Sequence, residues 1–327
     1  MSLGKTFTLN TGASIPAVGF GTFASEGAVG ESYKSTKCAL EAGYRHLDCA
    51  WFYQNEEEIG EAIADFLKEQ NGKVKREDLF ICTKVWNHLH EPAEVEWSLN
   101  DSLKKLKLDY VDLFLMHWPI AAERTDDYNP KIGPDGKYVI KKGLTENHEP
   151  TWRAMEALYH QGKARAIGVS NFEIPQLEKL YQYATVRPAV NQVEIHPFLP
   201  NQKLLDYAKA QKDLLLVAYS PLGSQNQVPK TGEKVNENPK LNEVAKKSGH
   251  SLAQVLIAWG IRRGYPVLPK SATPSRIQSN FEQFELSDED YAAVNEVATG
   301  RHCRFVDMKD TFGYDLWPEE KDGVLQE

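Results

Sequence analysis

Short apolar runs alternate with stretches of helical periodicity along almost the whole chain of 327 residues. The candidate strands are AVGFG (17–21), RHLDC (45–49), LFICTKV (79–85), YVDLFLMH (110–117), ARAIGVS (164–170), AVNQVEI (189–195), LLLVAYS (214–220) and YPVLPK (265–270). Between them Glu57, Ile59, Gly60, Ile63, Phe66 and Leu67 fall at helical spacing, as do Val95, Leu99, Leu103 and Leu106, and Trp152, Met155, Leu158 and Tyr159. Strands that are nearly all apolar are expected where both faces are covered, as in a parallel sheet wrapped by helices. Eight of them, each followed by a helix through a right-handed crossover, predict an α/β fold closed into a (β/α)8 TIM barrel. Ahead of the series, KTFTLNTGASIP predicts a β-hairpin, with Phe7 and Leu9 before an Asn10-Thr11-Gly12 turn and Ile15 after it. The hairpin is expected to plug the N-terminal end of the barrel.

Three connections exceed ordinary length, at about 120–149, 221–239 and 300–327. The first two follow the fourth and seventh strands and so belong to the C-terminal face. The third is a tail rich in aromatic side chains: Phe305, Phe312, Tyr314 and Trp317. All three are expected to wall a pocket. No linker-like tract divides the chain, so residues 1–327 are expected to form one barrel domain, with the tail loop beginning near residue 300.

Polar residues end the apolar runs: Asp48, Lys84, His117, Ser170-Asn171, Gln192, Tyr219-Ser220 and Lys270-Ser271. Singly, Asp48 could cap a helix, Lys84 could snorkel to the surface, and His117 could be a satisfied core histidine. In one register they occupy the rim where barrels of this kind place their chemistry. Tyr53 lies five positions after Asp48, enough for the chain to turn from the strand end into a loop. A tyrosine beside a lysine ammonium can hand a proton to a carbonyl oxygen as hydride reaches the carbon. Its ordinary pKa of about 10 is expected to be lowered toward working pH by Lys84. Asp48 would fix Lys84, and His117 would orient and polarise the carbonyl.

Composition narrows the partners. A formal net charge of −8 disfavours a broad nucleic-acid surface, which needs a concentrated basic field, but leaves room for one phosphorylated cofactor. Cys38, Cys49, Cys82 and Cys303 show no paired metal spacing and are expected to be free thiols in a reducing compartment. The N-terminus has no apolar signal core and no run reaches membrane-spanning length, so a cytoplasmic protein is expected. His88 and His90 in NHLHEP lack a third ligand at suitable spacing, which favours a hydrogen-bonded loop over a metal site. GFGTFA (19–24) matches a dinucleotide fingerprint that is weak alone, and GVSNF lacks the second glycine of a nucleophile elbow. Trp51, Trp86 and Trp118 lie at or near the strand ends and are expected to line the pocket together with Phe23 and His117.

GFGTF, GYRHLDCAWFY, GVSNF, NQVEIHPF, AYSPLG and LPKSATPSRIQSNF together resemble the aldo-keto reductases across nearly the whole chain. The resemblance implies a barrel that binds NADPH without a Rossmann fold. It implies that Gly21, Thr22 and Phe23 lie against the cofactor and that Ser170, Asn171 and Gln192 hold the nicotinamide carboxamide. Tyr219 would stack on the ring, while Ser220, Leu222 and Ser224 line the pyrophosphate. Lys270, Ser271 and Arg276 would grip the adenosine 2′-phosphate and Asn280 would meet the adenine. The residues support the phosphate pocket independently, since two cations and a hydroxyl flank a helix start at Thr273-Pro274.

The pattern departs from the family at Phe23, where relatives often carry Trp, at Ala24 and Asn226, which replace a salt-linked belt, and at Ser279, often Glu. HLDCAWFYQNE, KVWNHLHEP, PLGSQNQVP and KDTFGYDLWPEE resemble the members acting on glycerol and glyceraldehyde. A monomeric NADPH-dependent aldehyde reductase, reversible as a glycerol or polyol dehydrogenase, is the implied activity. The alternatives are reduction of a sugar acid such as D-galacturonate, with Lys131 or Arg304 as carboxylate partners, or of the pentoses xylose and arabinose. A cofactor-binding structural or sensor protein is the non-enzymatic alternative.

Overall fold

The computed structural model describes residues 4–24, 29–223, 232–321 and 323–325. Strands β1 (Thr6–Thr8) and β2 (Ser14–Pro16) form the expected antiparallel hairpin, with Phe7 opposite Ile15. Gly12 makes the turn at φ +82°, a conformation that costs glycine nothing.

Eight parallel strands follow: β3 (Phe20–Gly21), β4 (His46–Asp48), β5 (Phe80–Val85), β6 (Leu113–Met116), β7 (Ile167–Ser170), β8 (Val190–Glu194), β9 (Leu215–Tyr219) and β10 (Val267–Leu268). Each pairs with the next in chain order. The last then meets the first. Val18 pairs with Val267 in a parallel bridge, and the Gly19 and Gly21 amides donate to the carbonyls of Val267 and Pro269. All eight apolar runs are therefore barrel strands, trimmed at their ends.

The helices are α1 (Glu31–Ala42), α2 (Glu56–Glu69), α3 (Pro92–Leu106), α4 (Lys142–Glu146), α5 (Glu149–His160), α6 (Ile174–Tyr183), α7 (Gln202–Gln211), α8 (Pro239–Ser248), α9 (Leu252–Arg263), α10 (Pro274–Phe281), α11 (Asp288–Ala298) and α12 (Lys309–Phe312). Local chemistry sets their ends. Three glutamates, Glu56 to Glu58, complement the positive start of α2 and Lys68 its negative end. Pro92 opens α3, and Ser251 with Gln254 forms a capping box on α9. The plain one-helix-per-strand expectation fails after β6 and β9, which are each followed by two helices, and after β10, which is followed by three. One of the additions, α8, packs on α11 and buries Leu241 and Val244 with Val294.

Side chains alternate along each strand, and this alternation places the site. Phe80, Cys82, Leu113, Leu115, Ala166, Val190, Val217 and Leu268 pack inside the barrel with Leu9 and Ile15 of the hairpin, which is therefore the plug. Ile81, Val85, Phe114, Met116, Ile167 and Val169 face the helices instead. Two residues beyond an inward apolar residue the next inward position is polar: Lys84 after Cys82, His117 after Leu115, Gln192 after Val190, Tyr219 after Val217. A period of two converts an apolar barrel floor into a polar mouth.

The excursion after β6 is not structureless. Ala122 pairs with Ile140, Arg124 with Pro130, and Ile132 with Tyr138. The tail is held by charge: the amides of Phe305 and Val306 both donate to the buried Glu194 carboxylate, at 2.8 and 2.9 Å. Strands β11 (Glu320–Lys321) and β12 (Val324–Leu325) close it as a hairpin. Among the described residues no helix is long and apolar enough to cross a membrane.

Candidate active site

At the C-terminal mouth of the barrel, Lys84 Nζ donates to Asp48 Oδ1 at 2.8 Å and to the Cys49 carbonyl at 2.8 Å. Gln192 Nε2 donates to the same Asp48 oxygen at 2.8 Å. The Lys84 side chain is 0% exposed, so its charge acts in a medium that screens little. Burial alone would pull the ammonium's pKa down. Asp48, with Tyr53 and Cys82 beyond it, outweighs that effect and holds it above the usual lysine value.

Tyr53 ends a 3-10 turn, Trp51–Tyr53, that carries the chain off β4. The Lys84 ammonium lies 5.3 Å from the centroid of its ring, and the His117 ring stands edge-on at 5.9 Å. The four groups expected from the strand ends thus share one locus.

The expected acidification of Tyr53 does not occur in the protein alone. Burial pushes the phenol up to about 12, and the Lys84 charge only partly offsets this. Tyr53 therefore rests as a neutral phenol, the protonated form that a reduction consumes. His117 is also neutral, because burial holds its pKa well below the usual value and the Lys84 charge pushes the same way. A neutral imidazole keeps one N–H to donate.

Beside this locus runs a second set of contacts. Asn171, at φ +63°, donates from Nδ2 to the His117 carbonyl at 3.0 Å and to Ser170 Oγ at 3.2 Å. Ser170 Oγ donates to the Gln192 carbonyl at 2.7 Å, and the Tyr219 hydroxyl donates to Asn171 Oδ1 at 2.8 Å. Thr22 Oγ1 donates to the Asp48 carbonyl at 2.8 Å. Gly21 is a close approach: a Cβ there would meet the Leu268 carbonyl at 3.3 Å and Lys270 Cβ at 3.4 Å. Ser220, at φ +47°, and Leu222 follow Tyr219 on the rim. Ser224 and Asn226 lie outside the described residues.

Further round the rim, Lys270, Ser271 and Arg276 surround the start of α10. The Ser271 hydroxyl accepts from the Thr273 amide at 3.0 Å, and Lys270 approaches Glu31 at 3.4 Å. The first turn of α10 carries no acidic residue, and the Arg276 guanidinium is exposed with no ion pair among the described residues. Asn280 is buried on the same helix. This donor set suits a phosphate dianion at a helix start and fits a phosphorylated dinucleotide.

The walls are aromatic. Trp86 meets the His117 ring edge-on at 4.8 Å, Phe23 meets Tyr53 at 5.2 Å, and Trp118 lies 6.4 Å from His117. Phe312 of the tail touches both Trp86 and Trp118, at 5.9 and 5.5 Å, and Trp317 packs on Trp118 at 6.0 Å. Phe23 is 52% exposed, which leaves that side of the mouth open.

Trp51 departs from the expectation. Its indole N–H donates to Asp101 of α3 at 2.8 Å and its ring packs on His88 and Trp97, a direction that leads away from the four groups. Phe52 takes the wall position instead, stacked on Trp86 at 3.7 Å. A 3-10 turn swings successive residues by about a third of a circle, so neighbours in sequence face different ways. Phe312 bears out the expectation that the tail walls the pocket, whereas Tyr138, whose hydroxyl accepts from the Trp86 indole at 3.2 Å, carried no signal in the sequence.

Neither basic residue considered for a carboxylate is available. Lys131 pairs with Glu123 at 2.6 Å on the surface, and the buried Arg304 is bidentate to Glu320 and lies 3.5 Å over the Trp317 ring. His88 Nε2 is hydrogen-bonded to the Tyr128 carbonyl at 2.9 Å.

Buried neutral histidines make the fold acid-sensitive. Burial lowers His46, His88 and His148 to about 4 each. The unfolded chain, with histidine near 6.5, binds protons that the native state refuses. Stability is therefore full above about pH 6.5 and falls as pH drops toward 4, by roughly 1.4 kcal/mol per pH unit for each histidine. Urea unfolding midpoints at pH 7 and pH 5 are expected to show a clear loss at the lower pH. Equal midpoints would contradict the burial of these rings as neutral groups.

The family described as Aldo/keto reductase family matches residues 17–299. A glycerol 2-dehydrogenase (NADP(+)) of Hypocrea jecorina is 66% identical, over 97% of this chain and 99% of that protein. A D/L-glyceraldehyde reductase of the same organism is 44% identical, over 91% and 88% respectively. Among solved structures, an aldose reductase from Schistosoma japonicum superposes with a TM-score of 0.84 at 36% identity, covering 96% of this chain and 98% of that one.

Proposed function

Since the chain belongs to the aldo/keto reductase family, we propose that it is an NADP-dependent oxidoreductase reducing small hydroxyaldehydes and hydroxyketones to alcohols, and running in reverse on glycerol. The observation that carries this reading is the buried contact of Lys84 with Asp48 beneath Tyr53, with the His117 ring beside them. The two similar fungal proteins named for glycerol and glyceraldehyde support the substrate class.

NADPH, when bound, supplies the hydride. Tyr53 gives its phenolic proton to the substrate oxygen, and the Lys84 charge stabilises the phenolate left behind. Asp48 and the Cys49 carbonyl fix the ammonium, so it costs no reorganisation at the moment of transfer. His117 donates its N–H to the same oxygen and orients the carbonyl. Ser170, Asn171, Gln192, Tyr219, Gly21, Thr22, Ser220 and Leu222 would hold the nicotinamide half of the cofactor. Lys270, Ser271, Arg276 and Asn280 would hold the adenosine half. In the oxidative direction Tyr53 must first lose its proton, so glycerol oxidation is expected to speed up as pH rises. We read the protein as monomeric and cytoplasmic.

The test is a panel in both directions: glyceraldehyde, dihydroxyacetone, xylose, arabinose and galacturonate with NADPH, and glycerol with NADP+. The highest kcat/KM is expected for the three-carbon substrates. Tight NADPH binding without turnover of any of them would favour a sensor or structural role. Arg276→Ala is expected to reduce the preference for NADPH over NADH roughly tenfold to a hundredfold, the worth of a charge-assisted phosphate contact. An unchanged preference would refute the assignment of the phosphate pocket.

A further inference from the structure

The wall facing the four reactive groups is carbon almost throughout: Phe23, Phe52, Trp118 and Phe312 present rings to it. A three-carbon hydroxycarbonyl brings hydroxyl groups besides its carbonyl. Each loses water on entry, and a hydroxyl left without a partner in such a setting costs binding energy. One polar atom at the edge of the wall is placed to prevent that loss.

Tyr138 belongs to the excursion after β6. The Trp86 indole N–H donates to its hydroxyl oxygen at 3.2 Å, and its ring tilts against Phe312 at 5.5 Å. Trp86 in turn meets His117 at 4.8 Å, so the Tyr138 hydroxyl stands about one indole ring from the carbonyl-orienting imidazole. The segment is clamped in place, because the Tyr138 amide donates to the Thr311 carbonyl of the tail at 3.2 Å. A phenol has one O–H to give and more than one lone pair. Here a lone pair is engaged by Trp86, while the O–H meets no acceptor among the described residues and the side chain is only half-buried.

Building on the reductase reading, we propose that Tyr138 is a specificity residue that donates its O–H to a hydroxyl of the substrate beyond the carbonyl carbon. Donation from Trp86 polarises the phenol and strengthens its own O–H as a donor. The pocket then distinguishes a hydroxylated carbonyl compound from a plain aldehyde of equal length, although nearly all of its lining is apolar.

The experiment compares glyceraldehyde with propanal, at saturating NADPH, in the wild type and in Tyr138→Phe. The ratio of kcat/KM for glyceraldehyde over that for propanal is expected to fall roughly three- to tenfold in the variant, mainly through KM. A change of equal size for both substrates would show that Tyr138 only props Trp86, and would overturn the proposal. Unchanged kcat/KM for both substrates would do the same. A second measurement needs no variant: wild-type kcat/KM along propanal, 2-hydroxypropanal, 3-hydroxypropanal and glyceraldehyde should rise at one hydroxyl position, and a flat series would also overturn it. A wild type that turned over none of the four would sink the reductase reading itself, and this assignment with it.

Discussion

Tyr53→Phe is expected to lower turnover of glyceraldehyde by about a thousandfold, the usual worth of a positioned general acid. The ring stays, so its edge contact with His117 and its packing on Phe23 survive. Only the proton is lost. NADPH affinity, measured by fluorescence titration, should change little, which separates loss of chemistry from loss of fold. Because kcat and kcat/KM should drop together, the interaction removed is one made in the transition state. Retention of a tenth or more of wild-type kcat would remove Tyr53 from the role of proton donor.

Lys84→Met is expected to damage both activity and stability. The ammonium is fully buried and its two hydrogen bonds go to Asp48 and the Cys49 carbonyl. Removing it leaves the Asp48 carboxylate in the barrel mouth without its ammonium partner, held by the Gln192 amide and the neighbouring Cys82 thiol. An uncompensated buried charge of this kind costs about 3–5 kcal/mol. The urea midpoint should fall accordingly. Adding Asp48→Asn should restore part of the stability, because the orphaned charge goes, yet leave the enzyme inactive, because the charge that stabilises phenolate is still missing. A double variant no more stable than the single one would show that the pair is not coupled as described.

How much of this was legible in the sequence follows from distance along the chain. The barrel strands could be read because a parallel strand covered on both faces shows as an apolar run, and RHLDC, LFICTKV and YVDLFLMH are such runs. Asp48, Lys84 and His117 were legible as the polar residues ending them. The hairpin was carried by Asn10-Thr11-Gly12.

What escaped depends on contacts that no local pattern encodes. Phe312 was expected in the wall, but its contact with Trp86 spans more than two hundred residues, and Tyr138 meets Trp86 only through the path of its own excursion. Trp51 was misplaced because a single 3-10 turn decides which of two adjacent aromatics faces the mouth. The Tyr53 pKa could not be foreseen either. It is a contest between desolvation and one ammonium, and only the depth of burial shows which wins. Arg304 looked free for a substrate carboxylate until the tail folded Glu320 onto it.

Hydride reduction at the barrel mouth can be followed through the label from NADPH deuterated at both C4 positions into the product. Wild-type enzyme with glyceraldehyde or dihydroxyacetone should yield glycerol carrying a single deuterium on the former carbonyl carbon, and Tyr53→Phe should yield almost none in the same time. Glycerol without deuterium, or equal labelling by the two proteins, would contradict hydride reduction with proton delivery by Tyr53 at the barrel mouth.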